Sequence, residues 1–233
     1  MNPAATLLGL RRANAWRLAA NLTTLAVLGT GLMAIGAHAS TLHALGLMGL
    51  ATGLDGLDGW LARRAGGPRL SGAALDLLAD MAAFGLAPTV LILTRLPAAG
   101  WLLWLALGAY LCAALARLVR SCRNHARPSP VGYVGLPMPA CGWLLSAAAL
   151  SLGEHAWLSM AALGISGLAV SRRLYPSPKW MWSKARGPML SVAAAAALAA
   201  LEAWPAGLLV ASTAYAIYPL FWPIADTPRS QDT

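Results

Sequence analysis

Negative charge is scarce in this chain: eight Asp and Glu stand against 17 Lys and Arg among 233 residues. Charged residues of both signs make up only 11% of the sequence and hydrophobic ones 58%, a balance that excludes an ordinary soluble domain. Cysteine is also rare. Cys112, Cys122 and Cys141 are odd in number and form no C-x-x-C pair, so they read as packing residues, not as a disulfide framework or a set of metal-binding thiols. The histidines His38, His43, His125 and His155 lie near the ends of apolar runs at no shared helical spacing, as interfacial residues do. Strand-like alternation, long linkers and internal repeats are missing. No nucleic-acid motif is present, so the formal charge of +9 is assigned to membrane topology and contact with anionic headgroups.

What fills the sequence instead is apolar runs rich in Ala, Leu and Gly, separated by clusters of charge. A hydrocarbon core of about 30 Å needs about 20 helical residues, and lipid-embedded backbone must satisfy its own hydrogen bonds. The expected fold class is therefore all-α, a polytopic membrane helix bundle of about eight spans: 18–38, 41–63, 71–94, 98–120, 138–152, 156–171, 188–203 and 206–224. With the amino terminus in the cytoplasm, basic residues cluster at the cytoplasmic ends, and Arg95 alone of the 17 Lys and Arg falls outside, as the positive-inside rule requires. Both termini are then cytoplasmic. The expected organisation is an interfacial segment 1–17, one transmembrane domain 18–224 and a mobile polar tail 225–233. Ala37-His38-Ala39 resembles a signal-peptidase site, but the preceding run is long for a signal peptide and its removal would spoil an even span count, so no cleavage is expected.

Half of the scarce negative charge sits between Leu54 and Asp80. On a helix Asp55, Asp58 and Ala62 share one face, and Gly72, Asp76 and Asp80 share another. Gly66-Gly67-Pro68 lies between them, so spans two and three are predicted to form a tight cytoplasmic hairpin that brings both faces together. An Asp at mid-membrane costs about 2.5–3.5 kcal/mol, and four approach roughly 10 kcal/mol before repulsion is counted. A cationic partner is required, and Arg63, at the helix end, cannot serve four carboxylates. Hard divalent cations suit an all-oxygen cluster, and two of them bridged by carboxylates suit displacement at phosphorus. Gly59, Ala62 and Gly72 keep the hairpin's inner surface free of bulk, leaving room for an anionic group to approach the backbone.

The pattern D-x-x-D-G-x-x-A-R, eight residues, then G-x-x-x-D-x-x-x-D resembles the signature of the CDP-alcohol phosphotransferases, matched here at Asp55, Asp58, Gly59, Ala62, Arg63, Gly72, Asp76 and Asp80. The resemblance implies that the four aspartates hold two divalent cations, Mg2+ or Mn2+, with Asp80 also the base. It implies that Gly59, Ala62 and Gly72 make room for the cytidine nucleotide and that Arg63 sits near its phosphates. The stretches LDLLADMAAFGLAP, ARLVRSC, GYVGLPMPACG and LAVSRRLYPSPKW are similar, in the same order, to the bacterial phosphatidylserine synthases that use CDP-diacylglycerol. Those synthases carry Ser where this chain has Leu77 and Ala83, and Phe-Asn where it has Ser121-Cys122; the lost polar groups cannot make the same contacts.

From this resemblance follow the expectations of phosphatidyl transfer to L-serine with release of CMP, a multi-pass protein of the bacterial inner membrane, and a homodimer. Another acceptor alcohol, glycerol 3-phosphate or an inositol phosphate, is the alternative, and a cation or proton transporter a remote one, disfavoured because the acidic hairpin occurs once. Arg117 and Arg120 share a helical face and are expected to grip serine's carboxylate or a phosphate, or to serve as a positive flank. Asn21 and Thr24, polar groups inside span one, are expected near the nucleotide or in helix-to-helix hydrogen bonds. The Pro- and Gly-rich RPSPVGYVGLPMP reads as a stiff cytoplasmic turn beside the acceptor pocket, with Pro137 or Pro139 opening span five.

Overall fold

A computed structural model describes residues 3–37, 39–65, 70–97, 100–123, 132–152, 155–176, 212–217 and 219. The Ala- and Leu-rich runs form helices in the order expected: α1 (Pro3–Gly36), α2 (Thr41–Arg64), α3 (Leu70–Asp80), a π-helical segment π1 (Met81–Leu86), α4 (Ala87–Arg95), α5 (Trp101–Arg123), α6 (Met138–Ser151) and α7 (His155–Val170). Among the described residues, Asn14–Gly36, Gly72–Arg95 and Trp101–Arg123 are long and apolar enough to cross a membrane. The chain is thus an all-α multi-span bundle with at least these three membrane-spanning helices. Helix α2 matches them in length and carries two carboxylates; α6 and α7, at 14 and 16 residues, are only about 21 and 24 Å long. The first six predicted spans correspond to these helices. Spans seven and eight, the predicted turn at Gly66-Gly67-Pro68 and the polar tail lie outside the described residues, apart from a helical piece at 212–217.

One correction concerns the turn before α6. Gly132–Val134 (β1) and Leu174–Pro176 (β2) pair as a short antiparallel ribbon, Tyr133 opposite Tyr175. No periodicity announces two strands of three residues, and the pairing is made possible by α6 and α7 returning the chain to the end of the bundle where it left α5. Pro137 stands at the N-cap of α6 and Pro139 just inside it, where a missing N–H costs nothing.

The rod formed by α3, π1 and α4 is the centre of the molecule. Its π segment has a cause in the sequence: Pro88 has no N–H to offer the Phe84 carbonyl four residues back, and its ring crowds that carbonyl. A π turn widens the helix there, and the Ala87 N–H bonds to Ala82, five residues earlier. Glycines let neighbouring helices close on this segment from two sides. A Cβ on Gly31 of α1 would lie 2.7 Å from the Ala83 backbone nitrogen, and one on Gly142 of α6 3.0 Å from Phe84 Cα, so only glycine permits these approaches. Phe84 then fills a buried cluster with Val27, Ala51, Ala79, Ala114 and Met138. A larger core joins α5, α6, α7 and Tyr175.

Candidate active site

Along α2 and α3 the carboxylates fall at matching distances from the residues that connect the two helices. Asp55 lies about 14 Å from the end of α2 and Asp80 about 15 Å from the start of α3 at 1.5 Å per residue. One carboxylate oxygen each from Asp55, Asp76 and Asp80 lies within 4.8 Å of the others. Asp55 and Asp76 are half-buried and Asp80 is buried. Asp80 Oδ1 is enclosed and meets no hydrogen-bond partner among the described residues. A buried carboxylate oxygen is costly when unpartnered, and an all-oxygen donor set with such an orphan fits a hard divalent cation. The cluster accommodates one such ion on its own.

Asp58, the fourth predicted ligand, is also buried but has a separate partner: the Thr24 hydroxyl stands 2.8 Å from Asp58 Oδ2 and 3.0 Å from the Ala20 carbonyl. Thr24, expected near the nucleotide, thus bonds an aspartate across α1 and α2. Asn21, one turn earlier, is exposed and faces Gly72, its Oδ1 being 3.7 Å from where a Cβ on that glycine would lie. Gly59 faces Arg63 in the same manner, with Nη1 at 3.4 Å. Gly59 and Ala62 are half-buried and Arg63 is exposed. Beside them Arg64 packs its guanidinium over Trp60 at 4.4 Å and Trp16 at 5.7 Å, joining α1 to α2 by cation–π contact.

Arg117 and Arg120 of α5 separate sharply in role. Arg117 is 7% exposed, its Nε is buried without a partner, and it is the cation acting electrostatically on both Asp55 and Asp80. Arg120, by contrast, spends its guanidinium on backbone. Its Nη1 donates to the Val170 carbonyl at 2.7 Å, and Nη2 faces those of Ala169, Val134 and Ser171 at 3.1–3.3 Å. It caps the C terminus of α7, where cations are favoured, and ties the ribbon to α5. Gly135, at φ +82° with the Ala169 carbonyl and Arg120 against it, supplies the left-handed turn that makes this junction possible. Sequence reasoning paired the two arginines by spacing and missed the cap, because its carbonyl partners come from residues 49–51 positions away. It also missed Tyr110, whose hydroxyl donates to the Phe84 carbonyl at 2.5 Å; Pro88 four residues after Phe84 was the available signal.

Residues 16–171 match the family of CDP-alcohol phosphatidyltransferases, a span running from α1 to the end of α7. The chain belongs to that family. It is also 33% identical over 147 residues to the CDP-diacylglycerol–serine O-phosphatidyltransferase of Methanocaldococcus jannaschii, an alignment covering 63% of this chain and 68% of the relative. The family match takes in all four aspartates, Arg117 and Arg120. The Asp55, Asp76 and Asp80 cluster, able to hold a metal ion, lies within the matched span.

Proposed function

We propose that this chain transfers the phosphatidyl group of CDP-diacylglycerol to the hydroxyl of L-serine, giving phosphatidylserine and CMP. The observation that carries the proposal is the convergence of Asp55, Asp76 and Asp80 with an unpartnered Asp80 oxygen buried among them. The activity named for the archaeal relative supports serine as acceptor. Two divalent cations, Mg2+ or Mn2+, held by Asp55, Asp58, Asp76 and Asp80, would supply neutralisation of the pyrophosphate and a better-leaving CMP.

The chain's own residues do the rest. Asp80 accepts the serine hydroxyl proton as that oxygen forms its bond to the phosphorus bearing diacylglycerol; the bond from that phosphorus to the CMP oxygen breaks, and CMP leaves with the electron pair. Thr24 holds Asp58 in place. Gly59, Ala62 and Gly72 admit the cytidine, with Asn21 at its edge and Arg63 near its phosphates. Arg117, buried and acting electrostatically on Asp55 and Asp80, receives the serine carboxylate by paired hydrogen bonds, whereas Arg120 is occupied by backbone carbonyls. Basic residues near the ends of α2, α5 and α7 support a site that faces the cytoplasm, and the resemblance to the bacterial synthases supports a bacterial inner membrane.

The test is CMP release by purified protein with CDP-diacylglycerol and Mn2+ across a panel of acceptors. Serine is expected to stimulate release at least tenfold over glycerol 3-phosphate and inositol phosphate. No stimulation by serine, or a larger one by another alcohol, overturns the serine assignment.

A further inference from the structure

The π segment begins at the residue after Asp80, and we infer that π1, held open by the Tyr110 hydroxyl, sets the direction of the Asp80 carboxylate, making Tyr110 a positioning residue for the metal centre. A π turn carries one residue more than an α turn, so side chains beyond it are rotated by about 100° relative to an unbroken α-helix. Gly85, five residues after Asp80, takes the line on which an α-helix would set Phe84. The Phe84 ring turns instead into the cluster with Met138 and Val27, and the position in line with the carboxylate carries no side chain.

Pro88 has no N–H to donate to the Phe84 carbonyl across an α turn. The Tyr110 hydroxyl donates to it from α5. Both Tyr110 and Phe84 are wholly buried, so water cannot substitute for the hydroxyl. Tyr110 also lies seven residues, two turns, before Arg117, on the same face of α5. One helix face thereby fixes the segment that aims Asp80 and presents the cation that answers it.

The inference rests on the proposed metal centre, and substrate-free Mn2+ binding, followed by the electron paramagnetic resonance of free Mn2+, tests it without turnover. Tyr110→Phe is expected to weaken Mn2+ binding at least tenfold and to lower kcat, with the KM for serine within about twofold. Pro88→Ala restores the N–H and favours an unbroken α-helix. It is expected to keep or raise the thermal midpoint while also weakening Mn2+ at least tenfold, a combination that loss of stability alone does not produce. Ser159→Ala removes a hydroxyl that bonds the His155 carbonyl within α7, a helix that carries none of the carboxylates, and is expected to leave Mn2+ affinity unchanged. Wild-type Mn2+ affinity in folded Tyr110→Phe or Pro88→Ala overturns the positioning role; wild-type protein that binds no Mn2+ overturns the metal centre itself.

Discussion

Asp80→Asn is expected to lower serine-dependent CMP release by about a thousandfold, within the range by which a positioned general base accelerates a reaction. Asparagine keeps the size and planarity of the side chain, so the packing around α3 and π1 is preserved. It removes the charge that a cation would neutralise and the lone-pair basicity that takes the serine proton. Binding of CDP-diacylglycerol, measured by displacement of a labelled nucleotide, is expected to fall far less, because Asp55, Asp58, Asp76 and the small residues of the hairpin remain. The two readouts together separate chemistry from assembly. Turnover within tenfold of wild type would remove Asp80 from the reaction, and equal losses in binding and turnover would make it a ligand without a role as base.

Arg117→Lys is expected to raise the KM for serine about tenfold to a hundredfold while the KM for CDP-diacylglycerol stays within about threefold. Charged hydrogen bonds contribute about 1.5–3 kcal/mol each, and lysine keeps the charge while losing the planar fork that matches a carboxylate. Keeping the charge matters for the fold as well. Asp55 and Asp80 lie in the field of Arg117, and deleting one partner of a buried set leaves the others uncompensated at a cost of about 3–5 kcal/mol. Steady-state kinetics with each substrate varied in turn decide the matter. An unchanged serine KM would place the acceptor's carboxylate elsewhere.

The acidic cluster was legible in the sequence because charge is so expensive in lipid that its placement is rarely idle. Acidic residues at helical spacing on either side of Gly66-Gly67-Pro68 predicted a meeting of two faces, and the carboxylates of Asp55, Asp76 and Asp80 do meet. Asp58 was on the expected face, but its bond to Thr24 depends on how α1 crosses α2, which spacing within one helix does not encode. The helical segments of the first six spans followed from hydropathy and length. The ribbon of Tyr133 and Tyr175 did not, since its pairing is set by tertiary return of the chain. Arg120 shows the same limit from the opposite direction: its spacing from Arg117 was visible, but the α7 carbonyls that occupy it were not.

Gly31, Gly142 and Pro88 carry a related lesson. Each looked like ordinary membrane-helix composition, where small residues and prolines are common. Together they shape the segment that follows Asp80, two by letting backbones approach and one by withdrawing a donor. Their meaning lies in the pairing of Gly31 with Ala83 and of Gly142 with Phe84, contacts that no single helix announces.

The most direct measurement is a metal titration of chelator-stripped protein in detergent with saturating CDP-diacylglycerol and serine, followed by CMP release. Stripped protein is expected to fall below about 1% of the restored rate, and Mn2+ or Mg2+ to recover it fully in the wild type but not in Asp80→Asn. Full turnover by stripped protein would contradict a metal centre at Asp55, Asp76 and Asp80.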